Sequence, residues 1–333
     1  MTRKLKKPQH HIPPLRLQNN TWARTDEQKA TTFAHHLSTV FRPFPSQATT
    51  EEEEEYILQE LSSQHQMALP LQKLRISEVK HIIQHNTHPT KAPGYDLITG
   101  TVLKELSPKG IRALTQIYSA ILRVEYFPRY WKIGQIIMIV KPGKNPSEVT
   151  SYRPISLLPL LSKLLEKILL RRLTPILTAK QLIPDHRFGF RPQHGTLEQA
   201  HRLVTHIHEA FNNKCFCTAT FIDISQAFDK VWHPGLLYKI KRALPHPMYS
   251  ILKSYLTDRM FQVRYQEEHT ALYTISSGVP QGSILGSILY SIFTADLPVT
   301  EQKLTATYAE DTAILASHID PITATHHLQL HLV

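Results

Sequence analysis

Phe221-Ile-Asp-Ile-Ser-Gln-Ala-Phe-Asp229 lies where a run of β-favouring residues gives way to helical spacing. Cys215 to Ile224 is short and rich in aromatic and β-favouring residues, which predicts a central strand ending at Asp223. Leu236, Leu237, Ile240 and Leu244 then recur on one helical face. An ionised carboxylate at the end of a buried strand is costly unless it is paired or binds a cation. The segment alone therefore leaves two readings of Asp223 open, a helix cap and a chemically active acid.

Working upstream, Ser107 and Pro108 mark a helix start, and Ile111, Leu114, Ile117, Ile121 and Leu122 follow on one face. A second helix is predicted from Ser162 through Leu169, with Lys163, Lys167, Arg171 and Arg172 on a basic side. Thr196 and Gln199 form a capping-box pattern before a third, whose stripe is Ala200, Leu203, Val204, Ile207 and Phe211. Downstream, Phe261, Val263 and Tyr265 alternate as in a strand, and Glu267-Glu268-His269 suits a turn before a returning strand. Interleaved strands and helices predict an α+β fold. Residues 1–74 read as a polar N-terminal arm and linker, in which Glu51 to Glu55 is a solvated helix start or linker rather than a site, and residues 75–333 read as the folded domain.

Two further segments carry chemistry. Gly278-Val-Pro-Gln-Gly-Ser283 precedes the apolar helical pattern Ile284, Leu285, Ile288, Leu289, Ile292 and Phe293. Its glycines let backbone approach a ligand, and the Gln281 amide suits a base or sugar edge, although an ordinary turn and helix cap has the same pattern. Ala306-Thr-Tyr-Ala-Glu-Asp-Thr-Ala-Ile-Leu315 places adjacent acids between small and apolar residues, as at the tip of a β-hairpin, although a chance acidic turn reads the same.

The 333 residues are 41% hydrophobic, enough for a substantial core, and Lys plus Arg outnumber Asp plus Glu by 38 to 27, a net charge of +11. Such a balance fits a polyanionic partner, nucleic acid or an anionic membrane surface, or a surface charged for solubility. No apolar run approaches the roughly 18 residues of a spanning helix, and no signal-peptide pattern follows Met1 to Lys7. The expectation is a soluble, intracellular chain with no membrane partner. Cys215 and Cys217 fall on one strand face, poorly placed for a mutual disulfide, and read as small core residues. His81, His85 and His88 have helix-compatible spacing but no carboxylate or cysteine beside them in a recognisable zinc pattern.

Taken in order, the three segments around Asp223, Gln281 and Glu310 resemble palm motifs A, B and C of reverse transcriptases, most closely those of jockey-like non-LTR (LINE) retrotransposons. Lys91-Ala-Pro-Gly-Tyr-Asp96, Lys141-Pro-Gly-Lys144, Ser151-Tyr-Arg-Pro-Ile-Ser-Leu157 and Phe188-Gly-Phe-Arg191 resemble the successive fingers motifs. Thr21-Trp-Ala-Arg-Thr-Asp26 is similar to the entry to that polymerase. The resemblance covers roughly residues 20 to 333, and its ordered set is far more specific than any single piece.

That resemblance implies a right-hand polymerase fold, with fingers at about 75–214 and palm at about 215–333. It implies an RNA-directed DNA polymerase acting on an RNA template, a DNA primer and deoxynucleoside triphosphates in the nucleus. Asp223, Glu310 and Asp311 would be the catalytic, metal-binding acids, holding Mg²⁺ or Mn²⁺. Lys141, Arg153, Phe228, Gln281 and Gly282 would bind the nucleotide, with Arg153 and Lys141 on the triphosphate and Phe228 as an aromatic steric gate against a 2′-hydroxyl. Exposed solubility charges and a core phenylalanine are the competing readings. Arg191 would support the template or form a structural ion pair, and Asp229 and Trp232 would be structural.

Two departures from the pattern qualify the enzyme expectation. The family carries Asp-Asp in motif C, whereas this chain has Glu310-Asp311, and the added methylene disturbs near-octahedral Mg²⁺ geometry. The family also continues beyond motif C into a thumb, so this chain reads as a truncated copy. A noncatalytic nucleic-acid-binding remnant is accordingly the alternative to an active polymerase. An RNA-dependent RNA polymerase is disfavoured by Phe228 and by the fingers motifs.

Overall fold

The computed structural model describes residues 11–17, 19–44, 50–191, 193–300 and 303–332. In chain order its elements begin with β1 (Leu15–Arg16), β2 (Trp22–Ala23), α1 (Asp26–Val40), α2 (Glu51–Ser62), α3 (Ile76–Asn86), α4 (Gly100–Lys104) and α5 (Pro108–Val124). There follow β3 (Ile133–Val140), β4 (Tyr152–Leu157), α6 (Leu160–Ala179), α7 (Thr196–Asn212), β5 (Phe216–Ile222), α8 (His233–Ala243) and α9 (His246–Leu256). The last are β6 (Arg259–Tyr265), β7 (Glu268–His269), β8 (Tyr273–Ile275), α10 (Gly286–Phe293), β9 (Lys303–Tyr308), β10 (Asp311–His318) and α11 (Pro321–Leu332). The chain is α+β. No described helix is long and apolar enough to cross a membrane.

Local chemistry accounts for the helix starts. The Ser107 hydroxyl accepts from the Gly110 amide ahead of Pro108, as the sequence predicts. Thr25 and Gln28 close a full capping box on α1, and Thr50 and Glu53 close one on α2, so the acidic run is a capped helix start. In α7 the cap differs from expectation. The helix begins one residue earlier, on Gly195, whose amide donates to the Glu198 carboxylate. Leu203 and Ile207 still face the sheet, but Ala200, Val204 and Phe211 are exposed, so the buried stripe is narrower than predicted.

Two sheets organise the molecule. One has the order β4-β3-β6-β7, with β8 also paired to β6; β3 and β6 run parallel, Ile133 opposite Met260. The other has the order β5-β10-β9 and is antiparallel throughout. The expected boundary between residues 214 and 215 therefore does not divide the sheets, because β6 and β8 complete the sheet begun by β3 and β4. The predicted central strand is also corrected. β5 is an edge strand, and Phe216 and Phe221 on it are exposed, as is Asp223 at its end. Cys217 is half-buried against the three-stranded sheet, and half-buried Cys215 precedes β5, its thiol 3.6 Å from the Asn213 carbonyl.

The larger core lies among α3, α5, α6, α8, α9 and α10, where Tyr118, Leu165, Ile168, Ile251 and Tyr255 are fully enclosed. The smaller core corrects the reading of the N-terminus. Instead of an arm, α1 packs Phe33, Ala34 and Leu37 against Ile136, Phe261 and Val263 of the five-stranded sheet. Its polar composition conceals this, because even Lys29 is buried, its ammonium donating to the Ile12 carbonyl at 2.8 Å and lying over the Tyr265 ring. The parts of the expected arm at residues 1–10, 18 and 45–49 lie outside the described residues.

Phe33→Ala should destabilise the chain by about 3–5 kcal/mol, the usual consequence of removing an enclosed aromatic side chain. Urea denaturation checks this, and a midpoint unchanged from wild type would restore the arm.

Candidate active site

The three chemistry-bearing segments converge on one end of the three-stranded sheet. β5 and β10 pair with Ile222 opposite Thr312, and continuing the register by one step sets Asp223 opposite Asp311. Ala309, in a left-handed conformation, and Glu310 make the tight turn between β9 and β10, which puts the two acids at the hairpin tip as predicted. Asp223, Glu310, Lys141, Arg153, Phe228 and Gln281 all line one cavity of about 410 Å³. Asp311 lines a second, largely apolar cavity between α7 and the sheet, which Asp223 also borders, and Gly282 lines neither.

Lys141 directly follows β3 and Arg153 lies on β4, the hairpin strands of the other sheet. The Lys141 ammonium donates to the Thr150 carbonyl at 3.1 Å, while the exposed Arg153 guanidinium has no partner among the described residues. Phe228 has one foot in each environment. It lines the cavity, yet stacks on Tyr290 at 4.5 Å and meets Phe190 edge-on at 5.7 Å. Arg191 takes the structural role left open for it, donating to the Pro184 and Arg187 carbonyls and to Asp185.

The second segment is clasped to the first. The Gln281 amide nitrogen lies 3.1 Å from each carboxylate oxygen of Asp229. The Gly278 amide donates to Val231, that of Val279 to Phe228, and the Ser277 hydroxyl to the Asp229 carbonyl. At Gly278, with φ of +90°, an added Cβ would stand 2.6 Å from the Asp229 carbonyl oxygen, so no side chain fits. Gly282, at φ +103°, brings the turn against the Ser156 carbonyl in the same way. Asp229 is enclosed, and burial raises its carboxyl to about 7, opposed by the Gln281 hydrogen bond and by Lys230 and Lys141. Burial likewise lowers the His233 imidazole, whose Nε2 meets the Gly278 carbonyl at 2.8 Å.

Several residues of this site carry no pattern by which sequence reading finds them. His36 of α1 lines the cavity, and its imidazole is lowered first by burial and then by Lys141. Arg187, 2% exposed, reaches the Ala309 carbonyl in the hairpin turn and the Thr294 carbonyl after α10. Gly189 lies so close to Ala309 that a Cβ would clash with its backbone nitrogen. The segment from Arg187 to Arg191 thus braces the acidic hairpin, one residue longer at its start than the motif quoted for it. Glu166 of α6, fully enclosed, accepts from the Ile284 and Leu285 amides at 2.7 and 3.1 Å.

Among the described residues, no group of three or more His, Cys, Asp or Glu side chains is gathered to ligate a metal ion. Asp223 and Glu310 on one cavity nevertheless form a hard-oxygen pair. Such a pair suits Mg²⁺ or Mn²⁺, since Mg²⁺ usually takes one or two carboxylates and completes its shell with water and substrate phosphates.

Comparison with known proteins places the chain in a family. Residues 139–332 match the model of the family described as reverse transcriptase (RNA-dependent DNA polymerase). The chain is 45% identical over 324 residues to the probable RNA-directed DNA polymerase from transposon BS of Drosophila melanogaster, covering 95% of this chain and 35% of that protein. It is 43% identical over 321 residues to the RNA-directed DNA polymerase from mobile element jockey of the same organism, covering 93% and 34%. The chain thus spans about a third of the length of the curated relatives it matches.

Asp229 also sets a pH dependence. Because its folded carboxyl, at about 7, lies above the unfolded value, the native state holds a proton that the unfolded chain gives up. Stability from this group is present in acid and is lost as pH rises through about 7. Asp229→Asn should therefore gain stability relative to wild type above about pH 7, by up to roughly 4 kcal/mol, and gain little near pH 4. Urea midpoints of both proteins across that range check it; a pH-independent difference would remove Asp229 as the cause.

Proposed function

The chain belongs to the reverse transcriptase (RNA-dependent DNA polymerase) family, and from that premise we propose that it is the RNA-directed DNA polymerase portion of a jockey-like non-LTR retrotransposon protein. In this reading it has a right-hand polymerase architecture and adds deoxynucleotides to a primer 3′-hydroxyl on an RNA template. The observation that carries the proposal is the single cavity shared by Asp223, Glu310, Lys141, Arg153, Phe228 and Gln281, which come from separate stretches of sequence.

The roles follow from chemistry. Asp223 and Glu310 would hold Mg²⁺, or Mn²⁺, with Asp311 beside Asp223 across the ladder as the third acid of the set. When bound, two such ions stabilise charge on the attacking and leaving oxygens of a phosphoryl transfer. Arg153, without a partner among the described residues, would grip triphosphate oxygens with its planar donor fork, and Lys141 adds a second cation. Gln281 would border the nucleotide, with the Gly282 turn seating it against Ser156. Phe228 is held by its stack on Tyr290, so its bulk sits fixed beneath the sugar, which favours deoxynucleotides. The net charge of +11 supports an RNA or primer–template partner bound through phosphates.

One observation favours the second reading, a nucleic-acid-binding remnant without turnover. Glu310 replaces the aspartate of the family motif at the cavity wall, and misplacement of a reacting centre by about 1 Å can reduce rate on the order of 100-fold. Primer extension on an RNA template by the purified chain, with Asp223→Ala as the inactive control, separates the two. Extension lost in the control supports the polymerase; salt-sensitive RNA binding without extension supports the remnant. Glu310→Asp is expected to increase extension, and equal rates would clear the substitution of blame. Phe228→Ala should raise ribonucleotide incorporation relative to deoxyribonucleotide in single-nucleotide assays, and an unchanged ratio would rule out the gate.

A further inference from the structure

The Gln281 carboxamide has two unlike ends, a donor nitrogen and an acceptor oxygen, and only one of them faces Asp229. Both oxygens of that carboxylate lie 3.1 Å from the Gln281 nitrogen. An ionised carboxylate only accepts, so it selects the nitrogen and turns the amide oxygen away; a protonated carboxyl keeps an acceptor oxygen but gains an O–H, and of the two amide ends only the oxygen can receive it. The backbones on both sides are pinned. The Ser156 amide donates to the Gln281 carbonyl at 3.1 Å and the Ser277 hydroxyl to the Asp229 carbonyl at 2.9 Å, which leaves amide rotation as the free movement.

No cation quenches the Asp229 charge at ion-pair distance among the described residues. Lys230, next in the chain, sends its ammonium to the Thr39 and Arg42 carbonyls. Lys141 and Arg153 of the five-stranded sheet, His36 of α1, and the acids Asp223 and Glu310 share the cavity lining with it. Arg259 lines the small recess behind it, and His233 of α8 is held on the Gly278 carbonyl.

We propose that Asp229 is a positioning residue that sets which end of the Gln281 amide faces the cavity, the acceptor oxygen when Asp229 is ionised and the donor nitrogen when it is protonated. The proposal rests on the reading of this cavity as a nucleotide site for its consequence: the nucleotide edge opposite Gln281 meets an acceptor in base and a donor in acid. Because burial brings the Asp229 carboxyl to about 7, both forms exist at ordinary working pH. The chain would then bind its nucleotide with a pH dependence generated outside the metal-binding acids.

The test is made on the full chain. The side-chain amide ¹⁵N–¹H signals of Gln281, identified by their loss in Gln281→Glu, are followed from about pH 5.5 to about pH 8.5, a range that brackets the carboxyl. A transition centred at about 7 in wild type, absent from Asp229→Asn, is expected. In parallel, thymidine triphosphate affinity should change about fivefold across that range, the size of one neutral hydrogen bond, and lose that midpoint in the variant. A flat wild-type amide signal overturns the proposal even if Asp229→Asn folds poorly, and so does a transition that survives in the variant. A titrating amide in a chain that binds no nucleotide at any pH upholds the control by Asp229 and refutes the nucleotide-site reading instead.

Discussion

The Glu166 carboxylate, enclosed in the larger core, fastens the site to the scaffold. It accepts from two backbone amides at the start of α10, while the Ser162 hydroxyl lies 3.2 Å from its other oxygen. Free amides at a helix start attract negative charge, and here that charge is supplied from α6, more than a hundred residues earlier. Burial raises the Glu166 carboxyl, while those amides and Arg259 oppose the rise. Arg259, itself 1% exposed, lies over the Tyr255 ring and donates to the Tyr255 carbonyl, which ties β6 to α9. With α10 fixed, the turn before it has one place to go, against Asp229 and Ser156.

From that point order spreads to the acids. The Phe228 ring stacks on Tyr290 of α10, and Arg187 lies near the same tyrosine while reaching the turn beside Glu310. The acidic hairpin is thus braced from behind by α10 and by the segment around Gly189, while Asp223 is delivered by the neighbouring edge strand. A cavity wall composed in this way owes its shape to contacts that are mostly backbone-directed.

Local elements were legible in the sequence, and contacts between distant ones were not. Ser107 with Pro108, and the alternation of Phe261, Val263 and Tyr265, specify α5 and β6 because caps and periodicity are written within a few residues. Six of the predicted site residues meet in one cavity because an ordered family resemblance encodes their convergence. What periodicity lacks is partner identity. Nothing in Cys215 to Ile224 tells an edge strand from a central one, and nothing in α1 reveals that Lys29 threads its stem through a core. The partnership of Asp229 with Gln281 spans 52 residues and joins two polar side chains of ordinary type, which leaves no trace in either segment.

The parallel pairing of β3 with β6 bears on how the chain is made. A ribosome releases β3 long before β6 exists, and until Arg259 to Tyr265 emerge, the apolar faces of α1 and β3 have no sheet to close upon. Folding of this half is therefore slow to nucleate, since a loop of over a hundred residues must close before its contacts are rewarded. During that interval the nascent segment exposes Phe33, Leu37 and Ile136 together with an unpaired strand edge. A chain interrupted before residue 259 would be a client for chaperones and an aggregation hazard, whatever chemistry its remaining motifs retain.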